Sequence, residues 1–158
     1  MNKKILYLFL ALALPVLVFL FLKYFGKNEF DIPVYYTEGI GDSAVICKIK
    51  SKGQYYVSDS VLNKWNWKKG TAILVSAVPE KETNELNEFV KEAQFDGLQL
   101  LSLSDNEKNL KDCVLFLREP WNAVLIDAQK RIRGYYKIGY RDEMDRLEVE
   151  LKILLKKY

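Results

Sequence analysis

The feature that most constrains this chain is an uncharged apolar run at residues 5–22, preceded by Met1-Asn2-Lys3-Lys4. As a helix it extends about 27 Å, enough to cross the hydrocarbon core of a bilayer. A cleaved leader is the rival reading. The small-x-small triplet Ala11-Leu12-Ala13 lies inside the run, however, and apolar sequence continues past it through Leu14-Pro15-Val16-Leu17-Val18-Phe19. No cysteine follows for lipid attachment. The run therefore predicts an uncleaved anchor at residues 1–22, with Pro15 tolerated inside the span. A short basic N-terminus before a long domain predicts that the N-terminus stays inside and the domain is exported. In a bacterium this is a single-pass inner-membrane protein with a periplasmic C-terminal domain.

Residues 23–33 read as a juxtamembrane linker, and residues 34–158 as one domain of ordinary size. With 49% hydrophobic and 28% charged residues, the chain is neither disordered nor all-membrane. Its net charge of +3, with both signs interspersed, does not imply nucleic acid. The sequence has no histidine. Every Ser-His or Cys-His pair and the commonest metal ligand are thereby excluded. No Gly-rich phosphate loop or nucleophile elbow is present, so no cofactor and no enzymatic activity are expected.

Patterning orders the domain. Residues 34–36, 44–50 and 54–57 are β-like, with Ser51-Lys52-Gly53 as a turn, which predicts an N-terminal hairpin. Residues 63–70, with Trp65 and Trp67, read as a polar-aromatic loop. The continuous apolar run at 72–78 predicts a strand covered on both faces, stopped by Pro79. Leu86, Phe89, Val90 and Ala93 mark a helix over about 81–94. A second strand follows at 98–104. Leu110, Cys113, Val114 and Leu117 mark another helix, ended by Pro120. Residues 123–127 and 132–136 form a second hairpin. The last helix, 142–157, carries Met144, Leu147, Leu151, Leu154 and Leu155 on one face, a Glu148–Lys152 pair, and Asp142 at its start.

The order is β-α-β-α-β-β-α. Right-handed crossovers set strand 72–78 in the middle, flanked by 98–104 and 123–127, with 132–136 antiparallel beyond. This is a thioredoxin-like α/β domain with an extra N-terminal hairpin, preceded by one transmembrane helix.

Ala123-Val124-Leu125-Ile126-Asp127, Arg131-Ile132-Arg133-Gly134-Tyr135-Tyr136 and Asp142-Glu143-Met144-Asp145-Arg146-Leu147 resemble the C-terminal part of Sco-family proteins. These are membrane-anchored, thioredoxin-fold copper chaperones and thiol reductants of cytochrome oxidase assembly. The match covers roughly the last 40 residues. The resemblance implies protein partners among respiratory-complex assembly components. The family's copper site, a C-x-x-x-C after the first core strand plus a histidine, is missing. Pro79-Glu80-Lys81-Glu82-Thr83 stands in its place, and Lys130 occupies the turn position where the family has Gly. No functional residue carries over, and the resemblance implies a scaffold without its site.

Two sites remain as candidates. Cys47 shares a strand face with Val45 and Ile49, and Cys113 lies on an apolar helical stripe. Buried free thiols acting as small hydrophobes are the first expectation, a structural disulfide the second, and a copper-binding or thiol-exchanging pair the third. Trp65, Trp67, Pro120 and Trp121 are core or lid packing on one reading and a protein-binding patch on the other. The carboxylates Glu80, Glu82, Glu85 and Glu88 read as a solvated first turn favourable to the helix dipole. The basic and aromatic residues at 130–137 read as a strand surface. The function these readings predict is a non-catalytic binding or assembly factor.

Overall fold

The fold was established from a computed structural model, which describes residues 3–25, 31–41, 47 and 53–155, apart from some side chains in the first helix and that of Asp105. The chain forms two compact units, Met1–Phe30 and Asp31–Tyr158.

The first unit is helix α1, Lys3–Phe25, with Pro15 inside it. Its described apolar side chains point in every direction; Leu12, Leu17, Phe19 and Phe21 are each more than six-tenths exposed. Residues 11–21 of the helix present no polar face. Among the described residues no helix is long and apolar enough to cross a membrane. Several α1 side chains fall outside that set, and the whole uncharged run 5–22 lies within the helix.

The second unit is mixed α/β. A four-stranded sheet has the order β2-β1-β3-β4, built from β1 (Ala72–Ser76), β2 (Leu98–Ser102), β3 (Ala123–Ile126) and β4 (Ile132–Tyr136). Strands β1 and β2 are parallel, whereas β3 is antiparallel to β1 and β4. The apolar run forms the expected central strand because both of its faces are covered; Ile73, Leu74 and Val75 are fully buried.

On one face, Ala72, Leu74, Ala123, Leu125 and Tyr136 pack against α3 (Glu80–Ala93) and α5 (Arg141–Leu154) through Leu86, Leu147 and Leu151. On the other, Ile73, Val75, Val124, Ile126 and Tyr135 pack against α2 (Asp59–Lys64) through Leu62 and α4 (Lys108–Cys113) through Leu110. Pro79 caps the start of α3, its missing N–H costing nothing there. Gln94 ends that helix in the left-handed conformation.

The N-terminal hairpin needs correction. Most of the expected strand 44–50 lies outside the described residues, and 34–36 and 54–57 form no ladder. The alternation is real, since Tyr55 and Val57 are buried and Tyr56 is exposed. Each amide, however, finds a different partner: Tyr35 N donates to Ile132 O (2.9 Å), Tyr55 N to Tyr36 O (3.0 Å) and Val57 N to Lys130 O (2.9 Å). Single bonds to three separate acceptors, of which only Ile132 belongs to a strand, anchor the segment without extending the sheet.

Two further corrections concern helices. The segment expected as a loop from residue 63 is preceded by the short helix α2, which ends at Lys64. The stripe at 110–117 is helical only to Cys113. Leu115, Phe116 and Leu117 then turn into the core, Phe116 in the left-handed region at φ 52°. Helix α5 starts at Arg141 with Tyr140 as its cap residue, so Asp142 sits in the first turn.

Candidate functional site

The carboxyl ends of adjacent parallel strands are where open α/β sheets leave room for ligands. Here the ends of β1 and β2 border a cleft of about 690 Å³ between the start of α3 and the segment 103–112. Its rim includes Pro79, Glu80, Ser104, Glu107, Lys108 and Lys111. Glu107 is committed elsewhere. It accepts hydrogen bonds from Lys64 Nζ (3.1 Å) and from the Ser104 backbone N–H (3.2 Å). Those bonds hold its carboxyl below the usual carboxylate range, despite some desolvation. The rim is therefore a mixture of both charge signs, not an anion or cation trap.

The turn from β1 into α3 carries no sulfur. Its residues spend their polar groups on the helix start: the Thr83 N–H (3.0 Å) and hydroxyl (3.2 Å) both donate to Pro79 O. Among the described residues no group of three or more Cys, Asp or Glu is placed to hold a metal ion. Glu80, Glu85 and Glu88 are exposed along α3, in keeping with a solvated face.

Cys47 and Cys113 are joined as a disulfide, with Cα atoms 5.4 Å apart and 66 residues between them in sequence. This corrects the first expectation of two buried free thiols. Both residues are only half-buried. Cys113 is the last residue of α4, and Asp112 beside it lines the cleft. The bond fastens the N-terminal segment to the helix that follows β2. Nothing local in the sequence marks this pairing, because it is made by the tertiary fold.

The four aromatic-patch positions are not brought together. Trp65 is buried in the core, and Trp67 Nε1 donates to Thr71 O (3.0 Å), beside the first residue of β1. Trp121 lies at the opposite end. The neighbouring Asn122 O accepts from Ala77 N (2.8 Å), just past the last residue of β1. A five-residue strand separates the two pairs by about 17 Å. Pro120, whose bond to Glu119 is cis, is exposed, and Trp121 is half-buried near the Arg146 guanidinium, 5.9 Å from its ring centroid. The tryptophans thus pack two separate ends of the domain.

Sequence reasoning missed a buried ionic cluster. Asp127, 1% exposed, accepts from the backbone N–H groups of Gln129 and Arg131 (both 2.9 Å) and from Arg131 Nε (2.8 Å). Arg133, 3% exposed, pairs with Asp127 (3.2 Å) and with Asp31, and donates to Ile32 O. Arg133 is inside because of a register shift between β3 and β4 that sets Leu125 opposite Gly134 and Ile126 opposite Ile132. The extra residue is Arg133. The guanidinium holds the Asp31 carboxyl below its ordinary range. These contacts make residues 31 and 32 part of the domain instead of the linker.

No protein-family model matches this chain, and no curated protein shows significant sequence similarity to it.

Proposed function

We propose that this chain is a membrane-anchored, non-catalytic, Sco-like thioredoxin-fold module that acts by binding, as an assembly factor on the oxidising side of its membrane. In a bacterium that side is the periplasm, and α1 is the inner-membrane anchor. The sheet order, with two parallel strands followed by an antiparallel hairpin, supports the thioredoxin-like reading. So do α3 and α5 on one face and α4 on the other.

One observation carries the non-catalytic part. The turn where the family holds its C-x-x-x-C is Ala77-Val78-Pro79-Glu80-Lys81-Glu82-Thr83, and the chain's two cysteines are bonded to each other elsewhere. A disulfide also supports an exported domain, since such bonds persist in oxidising compartments. Respiratory-complex assembly components remain the partner class that the resemblance suggests.

The test is exchange kinetics. Purified, oxidised full-length chain in detergent is mixed with a reduced dithiol protein, and its disulfide is followed by mass-tag alkylation. This reading expects exchange no faster than with a small linear disulfide. Exchange about 100-fold faster would mark an activated redox pair and overturn it.

A second reading, a copper or thiol-exchange site at Cys47 and Cys113, draws on the adjacency of the two half-buried cysteines, next in sequence to Asp112 of the cleft. It requires one Cu(I) per reduced chain in a competition titration, abolished by Cys113→Ser.

A further inference from the structure

The bond between Cys47 and Cys113 is itself a product, made between residues 66 apart in sequence. They are the only two cysteines of the chain. No third thiol exists to exchange with, so the two electrons and two protons given up on oxidation must pass to an acceptor outside the chain.

The packing around the two cysteines does not depend on their sulfurs. Just after Cys113 the chain runs into the core, where Leu115 and Leu117 are fully buried. Two tyrosine hydroxyls hold its backbone: Tyr55 donates to Val114 O (2.9 Å) and Tyr135 to Leu115 O (2.7 Å). The Phe116 ring stands 5.1 Å from the rings of both Tyr36 and Tyr55. Tyr36 precedes Cys47 in the chain and Tyr55 follows it, and Tyr55 N donates to Tyr36 O (3.0 Å). Noncovalent contacts from both sides of Cys47 thus grip the residues that follow Cys113. In the unfolded chain the two thiols meet only by closing a loop of 66 residues. Both cysteines are half-buried in the folded domain, so an external disulfide reaches them there.

We propose that the reduced domain folds first and is then the substrate of an external disulfide donor, the fold itself aligning the two thiols. In the first exchange one cysteine thiolate attacks the donor, forming a mixed disulfide and expelling one donor thiolate. The other cysteine thiolate then attacks the sulfur of the first. That closes Cys47–Cys113 and expels the second donor thiolate, so the donor is reduced by two electrons as the chain is oxidised. The reaction class that supplies the finished protein is thiol–disulfide exchange, and because folding aligns the thiols a simple linear disulfide is a sufficient donor. This rests on the oxidising-side reading only for where the donor is met.

The test uses the full-length chain in detergent, reduced without denaturant and equilibrated with mixtures of glutathione and glutathione disulfide. Alkylation reads the oxidised fraction. The equilibrium constant for closure is expected to be about a thousandfold larger in native buffer than in urea, the ratio set by a loop of this length. The near-UV circular dichroism of the reduced chain is expected to match that of the oxidised chain. A ratio below about a hundredfold overturns the proposal. So does a reduced chain without the native aromatic signal, since the bond would then precede the fold. Rapid exchange with a dithiol protein would instead overturn the non-catalytic reading and leave this ratio unchanged.

Discussion

The disulfide offers the most quantitative handle on this fold. Replacing both Cys47 and Cys113 by Ser opens a covalent loop spanning 66 residues. In the chain-entropy account, closing a loop of that length lowers the entropy of the unfolded chain by about 15 cal/mol/K, or about 4 kcal/mol at 25 °C. The native contacts change little, because both sulfurs are half-buried at the end of α4 and no core side chain depends on them. Against a typical domain stability of about 5–15 kcal/mol, the loss is large. For a domain of this size it lowers Tm by about 15 °C. The assay is urea unfolding of the full-length protein in detergent, followed by tryptophan fluorescence, since Trp65 is buried and reports the core. The m value should also rise modestly, because the unlinked chain exposes more surface when unfolded. A double variant within about 1 kcal/mol of the parent would refute the staple argument, and the bond would then need another reason to exist.

Three further outcomes follow from the geometry. At Gly134, an added Cβ would run into the Tyr136 hydroxyl and lie 2.8 Å from its ring carbon Cζ, and Tyr136 is fully buried with its hydroxyl donating to Glu150 (2.5 Å). Gly134→Ala should therefore destabilise by about 1–3 kcal/mol in the same urea assay, whereas a change below about 0.5 would show that the ring moves freely. Arg133→Met strips Asp127 of one buried cation and releases residues 31 and 32; the expected cost is about 3 kcal/mol, and a neutral result would mean that Arg131 alone satisfies Asp127. Stability should also fall above about pH 10. Burial raises the Tyr55 hydroxyl from 10.0 to about 12, and raises Tyr135 and Tyr136 further still, so the folded state holds protons that the unfolded state releases. Their contribution is fully present below pH 10 and declines as pH climbs from there, by about 1.4 kcal/mol per pH unit for each tyrosine. A urea midpoint that stays level from pH 8 to pH 11.5 would contradict this.

Much of the domain was legible because its strongest elements are periodic. The run at 72–78 could only be a strand covered on both faces, and the stripes of α3 and α5 repeat at helical spacing. Strand order followed from chain order and crossover handedness. What escaped has physical causes. Helix α2 is only six residues long, too short for a stripe to emerge. Residues 54–57 alternate like a strand, yet among the described residues no continuous partner lies beside them. Arg133 reads as a solvent-facing residue in any regular hairpin; only the register shift turns it toward Asp127. The Cys47–Cys113 bond and the separation of Trp65 and Trp67 from Trp121 are facts of tertiary arrangement, with no local residue signature.

The central claim is that the two cysteines staple an exported domain and perform no chemistry. Mass-tag alkylation of the full-length chain in its native membranes tests it most directly. The account predicts no tag before reduction and two tags after it. A tag on Cys47 or Cys113 without added reductant would contradict it, leaving free thiols available for copper or thiol exchange.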